Sequence, residues 1–309
     1  MLRRRLAWLL AWASLVAGPR SAQAYVREVT NSGLPVAWRY PCLTMQIYLG
    51  SPPQVLTAEG YFAASTRAAA VWSYPALACT DIRLSIVADA RDSANVGYDQ
   101  NHVIVFRKDT WCREPPPLDN AGVPEPECYP SSALAVTSVF KNAKTGEILD
   151  TDIEFNAVNY SWGDLVAQAG LATLSTADFQ NTLTHELGHV LGLDHNCYTN
   201  SDGQARLNDN TGAPEVDCNP TPPQAIADAT MYPSVTLSDT LRRDLTPDDA
   251  QGVCDIYPHL HDVCPVRPSD GGCAVLATPS RECGHATMLW MAVGLLIAAL
   301  AFLRRRMKV

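Results

Sequence analysis

The chain is short of positive charge, poor in histidine and without internal repeats, and each shortage narrows what it can be. It carries 23 lysines and arginines against 32 aspartates and glutamates, a formal net charge of −9. Eight of those cations sit at the ends: four arginines precede Tyr25, and three arginines and a lysine follow Cys283. The segment between keeps 15 basic against 32 acidic residues, a balance of −17. So acidic a domain repels polyanions, which excludes nucleic acid as a partner and disfavours anionic surfaces. Without repeats, residues 25–258 are ample for one core with a cleft. Long apolar runs occur only near the two termini. No histidine stands between His102 and His185.

The few histidines that exist are concentrated. Three of seven lie in His185-Glu186-Leu187-Gly188-His189-Val190-Leu191-Gly192-Leu193-Asp194-His195, which reads H-E-x-x-H-x-x-G-x-x-H. Composition alone would produce this pattern with odds on the order of one in 10⁵, so it is read as a site. Leu183, Leu187, Val190 and Leu191 recur at helical spacing, and Ser175 or Thr176 is the expected cap, with Asp178 near the positive end of the helix dipole. His185 and His189, four apart, then project from one side of that helix. Gly192 ends it with a backbone reversal at positive φ, and the turn brings round His195. Three neutral imidazoles suit one catalytic Zn²⁺ with a fourth position for water. Glu186 is placed as general base toward that water, which makes the expected reaction metal-assisted hydrolysis of a peptide bond. A structural zinc site would close its fourth position with Cys or His. Cys197 is near enough in sequence to raise that alternative, but a disulfide to Cys218 gives it another use.

This motif, followed by Ala229-Thr230-Met231-Tyr232-Pro233, resembles the signature of the metzincin metalloproteases, and among them the matrixin-like group. The resemblance spans roughly residues 34–258. It implies an α+β, zincin-like fold: a twisted, mixed five-stranded sheet with long helices, and an active-site cleft between upper and lower subdomains. It assigns Met231 as an apolar floor under the histidines, and Tyr232 and Pro233 as walls of a substrate pocket. It also implies that Ala133–Val139 is a sheet edge that pairs with extended substrate. Periodicity places a long helix over 59–73 and strands over 82–87, 103–106, 133–140 and 148–156. A last helix begins at Thr246, with Pro247 at its first position and Asp248 and Asp249 in its first turn. Matrixins bind a second, structural zinc partly through a histidine where this chain has Glu154, so a second zinc is not expected. Asp150, Asp152 and Asp164 leave two readings open: oxygen ligands for calcium, or a solvated acidic edge. Asn196 fits no subgroup pattern after the third histidine, and no cysteine-bearing activation segment precedes the domain.

The ends concern location. Residues 1–24 read as a secretory signal: Arg3-Arg4-Arg5, an apolar stretch, then Ala22-Gln23-Ala24 as cleavage site. Residues 259–283 are rich in Pro, Gly and Cys and read as a stalk. Residues 284–309 hold an apolar run and then Arg304-Arg305-Arg306, long enough to just span a bilayer. With Cys283-Gly284 in front, this tail resembles the myxobacterial type of C-terminal sorting signal, which implies a sorting protease acting near Cys283. A plain single-pass anchor is the other reading. Either way the protein is exported and faces outward at the cell surface. Ten cysteines agree with an oxidising compartment, and Cys112–Cys128 and Cys197–Cys218 are the local disulfides expected.

The sequence therefore points to a zinc endopeptidase acting on proteins or peptides. A zinc-containing surface binding protein of the same fold is the alternative, and a hydrolase of small amides is a third. N-terminal sequencing of the exported protein should read Tyr25-Val26-Arg27. A chain that still begins at Met1 would contradict the signal sequence.

Overall fold

Five strands form one mixed sheet. They are β1 (Cys42–Tyr48), β2 (Arg83–Asp89), β3 (Val103–Arg107), β4 (Ala135–Lys141) and β5 (Ile148–Asn156), in the spatial order β2-β1-β3-β5-β4. β1 runs parallel to β2 and β3, β3 runs parallel to β5, and β4 alone is antiparallel, paired with β5 from Ala135–Phe155 to Lys141–Ile148. β4 thus ends the sheet and, among the described residues, pairs on one side only. The computed structural model describes residues 25–259, apart from 51, 54, 92–93, 114–126, 171–174 and 200–205. The expected signal, the stalk beyond His259 and the terminal segment lie outside the described residues. Among the described residues no helix is long and apolar enough to cross a membrane.

Two helices lie against this sheet: α1 (Ala58–Val71), packed on β2, and α2 (Phe179–Val190), packed on β4 and β5. Thr57 caps α1 by accepting the Gly60 N–H at 3.1 Å. Its buried face is Tyr61, Ala64, Ser65, Ala68 and Ala69, a helical spacing of mostly small side chains that lets α1 approach α2 closely. Phe106, Phe155, Trp162 and Phe179 meet between sheet and α2 with ring centroids 5.0–5.9 Å apart. Phe155 and Phe179 are wholly buried, so this cluster fixes where α2 lies on the sheet.

The expected strands and the long helix are found within a few residues of their predicted bounds. β1, at the second place in the sheet, was not among the expected strands, although Leu43, Met45 and Ile47 alternate with Thr44 and Gln46 as a half-buried strand does. The last helix, α3 (Pro247–Ile256), has Thr246 as its N-cap and Pro247 at its start, as predicted.

Covalent ties hold the periphery. Cys112–Cys128 and Cys197–Cys218 pair as expected, and Cys79–Cys254 joins the turn after α1 to α3 across 175 residues of sequence. Cys42 is also disulfide-bonded. Closing so long a loop restricts the unfolded chain most. The double variant Cys79→Ser/Cys254→Ser should lose about 2–5 kcal/mol in a denaturant titration. An unchanged unfolding midpoint would show that this bridge contributes nothing.

Candidate metal centre

α2 begins two to three residues later than its sequence suggests. Its cap is Asp178, whose carboxylate accepts the Asn181 N–H at 2.7 Å. Thr176, an expected cap, is engaged instead in a short parallel pairing of Thr176–Asp178 with Ser161–Gly163. The strand interaction uses the backbone that the cap would have needed. Asp178 is also paired with Arg243, which bridges to Asp164, and Asp164 in turn meets Arg67 of α1. That buried network locks the start of α2 to α1 and to the segment before α3.

The end of α2 is as predicted. Gly192 has φ +85°, and a Cβ there would press on the Val36 carbonyl oxygen at 2.9 Å. Glycine is required on both counts. Carbonyls left open at the helix end are satisfied from outside: Trp38 Nε1–H donates to Val190 O at 2.7 Å and the Tyr257 hydroxyl to Leu191 O at 3.0 Å. Val26–Arg27 then pairs antiparallel with Leu193–Asp194, which steadies the turn that leads to His195.

These constraints bring three imidazoles together. The centroids of His185, His189 and His195 lie 4.8–5.3 Å apart, and one nitrogen from each falls within 4.8 Å of the others. His185 Nδ1 lies 2.6 Å from Thr230 O, and His189 Nδ1 lies 2.9 Å from Leu193 O. A carbonyl oxygen can only accept, so both Nδ1 atoms carry the proton and both Nε2 atoms present lone pairs. His189 Nε2 is 3.3 Å from His195 Nε2. Burial pushes His185 down to about 3, helped by the neighbouring His189, and burial likewise drives His195 well below its ordinary value. Convergent imidazoles, with His185 and His195 held neutral by burial, are what a divalent transition metal such as zinc requires, so the residues fit the ion. Among the described residues they are the one group of three or more His, Cys, Asp or Glu able to share an ion.

Glu186 lies beside them, 6 % exposed. Its Oε2 accepts the Thr137 hydroxyl of β4 at 2.6 Å. Burial raises its pKa; the Coulombic pull of His189 and the Thr137 bond offset this in part. Thr137 was not singled out from the sequence, because a threonine on an edge strand carries no signal that it faces a helix.

Met231 is buried against Gly188, which lies on α2 between the two helical histidines. A Cβ at Gly188 would collide with the Met231 sulfur and meet the Trp72 ring at 3.3 Å. The Thr230–Met231 turn hangs from Asp249, whose carboxylate accepts Thr230 N–H at 2.8 Å and Met231 N–H at 3.2 Å while also capping α3 through Thr246. Asn196, the residue with no pattern to match, is 1 % exposed and bridges the same turn: its N–H donates to Met231 O at 3.2 Å and its Nδ2 to Ile226 O at 3.0 Å. Gly188, Asp249 and Asn196 are therefore functional neighbours that sequence reasoning passed over or left unassigned.

Tyr232 and Pro233 line a cleft of about 460 Å³, together with Glu186, His185, His195 and residues 132–135 at the start of β4. Cys197–Cys218 tethers the chain that follows His195, so Cys197 is spent in a disulfide and not on a metal. At the second-metal positions, Glu154 is bound to Arg107, Arg113 and Tyr129. Asp150 accepts N–H groups of Asp99 and Gln100 and contacts His102; Asp152 accepts those of Gly97 and Val103. Asp164 serves Arg67, Arg243 and the Ala167 N–H. Of the two readings left open, the solvated edge fails for Asp150 and Asp152, both fully buried, and these carboxylates hold the 97–103 loop with protein donors.

No family model and no curated protein matches this chain. Asp249→Ala should strand two buried N–H groups and lower stability by about 2–4 kcal/mol, with metal affinity falling alongside. A variant with wild-type stability and metal content would show that the turn does not depend on Asp249.

Proposed function

We propose that the chain is a zinc-dependent endopeptidase of the metzincin type, exported and held at the cell surface by its C-terminal segment. The observation that carries this reading is the placement of three convergent imidazoles beside a buried carboxylate, in a cleft bordered by the outer strand of the sheet. His185, His189 and His195 would hold the ion. Zinc, when bound, supplies a Lewis acid that polarises a carbonyl and makes water acidic enough to give up a proton near neutral pH.

The chain's own residues do the rest. Thr137 holds Glu186 Oε2, which fixes the carboxylate and leaves Oε1 as the atom available to the attacking water. Glu186 accepts a proton from that water and returns it to the departing amine. Its raised pKa makes its carboxylate a stronger base toward that water than a solvated glutamate. Among the described residues β4 pairs on one side only, so an extended peptide would add to the sheet as a further strand. Tyr232 and Pro233 bound the side-chain space next to the reacting bond. Met231, packed on Gly188, gives the helical histidines an apolar support.

A zinc-containing surface binding protein is the second reading, and the buried Glu186 held by Thr137 weighs against it, since binding alone needs no oriented base. Glu186→Ala should retain one zinc per chain and lose casein cleavage by about 10²–10⁴-fold. Thr137→Val should lower kcat with little change in KM. Wild-type protein that holds one zinc yet cleaves no peptide in a broad library would overturn the proposal.

A further inference from the structure

We propose that the cleft selects an acidic side chain, glutamate or aspartate, next to the scissile bond, through Asn181, Thr182 and Arg242. The inference rests on the proteolytic reading for the words "scissile bond"; the recognition itself rests on the donors in the cleft wall. All three residues line the same cleft as His185 and Glu186. Asn181 is 2 % exposed and Thr182 6 % exposed, on the turn of α2 immediately before His185.

Asn181 has its orientation fixed. Its Oδ1 accepts the backbone N–H of Arg242 at 2.6 Å, so the Nδ2 group is the end that remains, and among the described residues it has no partner. The Thr182 hydroxyl has none either; Thr184, two residues on, instead returns its own to the Gln180 carbonyl. Two polar groups, each more than nine-tenths buried, are thus left to face the cleft. An apolar ligand side chain there would strand both.

Arg242 adds charge and rigidity. Its guanidinium donates to Ala229 O at 3.0 Å and Ala227 O at 2.9 Å, and reaches Asp239 at 3.4 Å. Its Cζ sits 5.4 Å from the centre of the Tyr232 ring, a wall of the cleft. Three of the five N–H groups of an arginine are engaged in this way and two remain. The wall therefore presents a held cation, an amide donor and a hydroxyl, and among the described residues Glu186 is the one carboxylate that lines the cleft. Acceptors match that set, and the cation favours a carboxylate over an amide. The acidity of the domain as a whole does not cancel this preference. Surface charges beyond about 8 Å are screened at physiological salt, whereas contacts within a buried cleft are not. Tyr232, Pro233 and Val235 supply apolar contact for the methylenes of the side chain.

Binding can be read apart from cleavage with the full mature chain carrying Glu186→Ala and loaded with zinc. The probes are N-acetylated, C-amidated alanine hexapeptides with one central Glu, Gln, Leu or Lys. The Glu peptide should bind about tenfold tighter than the Leu peptide, with Gln between and Lys weakest. Adding Asn181→Asp keeps the acceptor for Arg242 N–H but turns the free donor into an acceptor, and should erase the Glu preference. Thr182→Val, nearly isosteric, should weaken it. Equal binding of Glu and Leu peptides, or an undiminished preference in the Asn181→Asp protein, overturns the proposal. Cleavage of the same peptides by the wild-type protein is scored separately. A Glu preference in binding with no cleavage would sink the proteolytic reading and leave the pocket standing.

Discussion

Two hydrogen bonds from histidine to backbone govern this molecule. Imidazoles on one helix face would scatter over several rotamers, and a metal site needs their Nε2 atoms to meet at one point. Thr230 O takes the proton of His185 Nδ1 and Leu193 O that of His189 Nδ1. Each carbonyl is itself fixed by a constraint elsewhere. Thr230 hangs by its N–H from Asp249 in the first turn of α3. Leu193 follows Gly192, whose positive φ turns the chain, and is held by the strand pairing with Arg27. The site is thus only as precise as the contacts between α2, the Thr230–Met231 turn, α3 and the N-terminal strand.

Burial then sets the chemistry. The core that wraps α2 removes water from His185 and His195, which keeps them neutral, and from Glu186, which keeps its proton affinity above that of an exposed glutamate. The sheet enters through one strand. β4 places Thr137 against Glu186 and, among the described residues, pairs on one side only, so the element that orients the carboxylate is also the open edge of the sheet. The wall opposite is made by α2 itself and by the chain after Met231, where Asn181 and Arg242 touch.

What could be read from the sequence was whatever a local pattern encodes. His185, Glu186, His189, Gly192 and His195 are close in the chain, and helical periodicity with one left-handed glycine is enough to place them. Thr246, Pro247 and the acidic first turn marked α3 for the same reason. The alternation in Cys42–Tyr48 was equally local but went unread. The cap of α2 was misplaced because the pairing of Thr176–Asp178 with Ser161–Gly163 is decided by tertiary contact, which outweighs capping preference. Thr137, Asn196 and Asp249 acquire their roles only across 18 to 49 residues of separation, where no spacing rule reaches. Asp150, Asp152 and Asp164 could be read as calcium ligands or as a solvated edge, yet each is engaged by donors on other strands and loops.

The central claim is that three histidine nitrogens, and no sulfur, form the protein's share of one metal site. Zinc-edge X-ray absorption on the purified, zinc-loaded protein tests it most directly. The account predicts one zinc per chain with three nitrogen ligands near 2.0 Å and a light oxygen ligand completing the shell. A sulfur shell near 2.3 Å, or a protein that takes up no zinc, would contradict it.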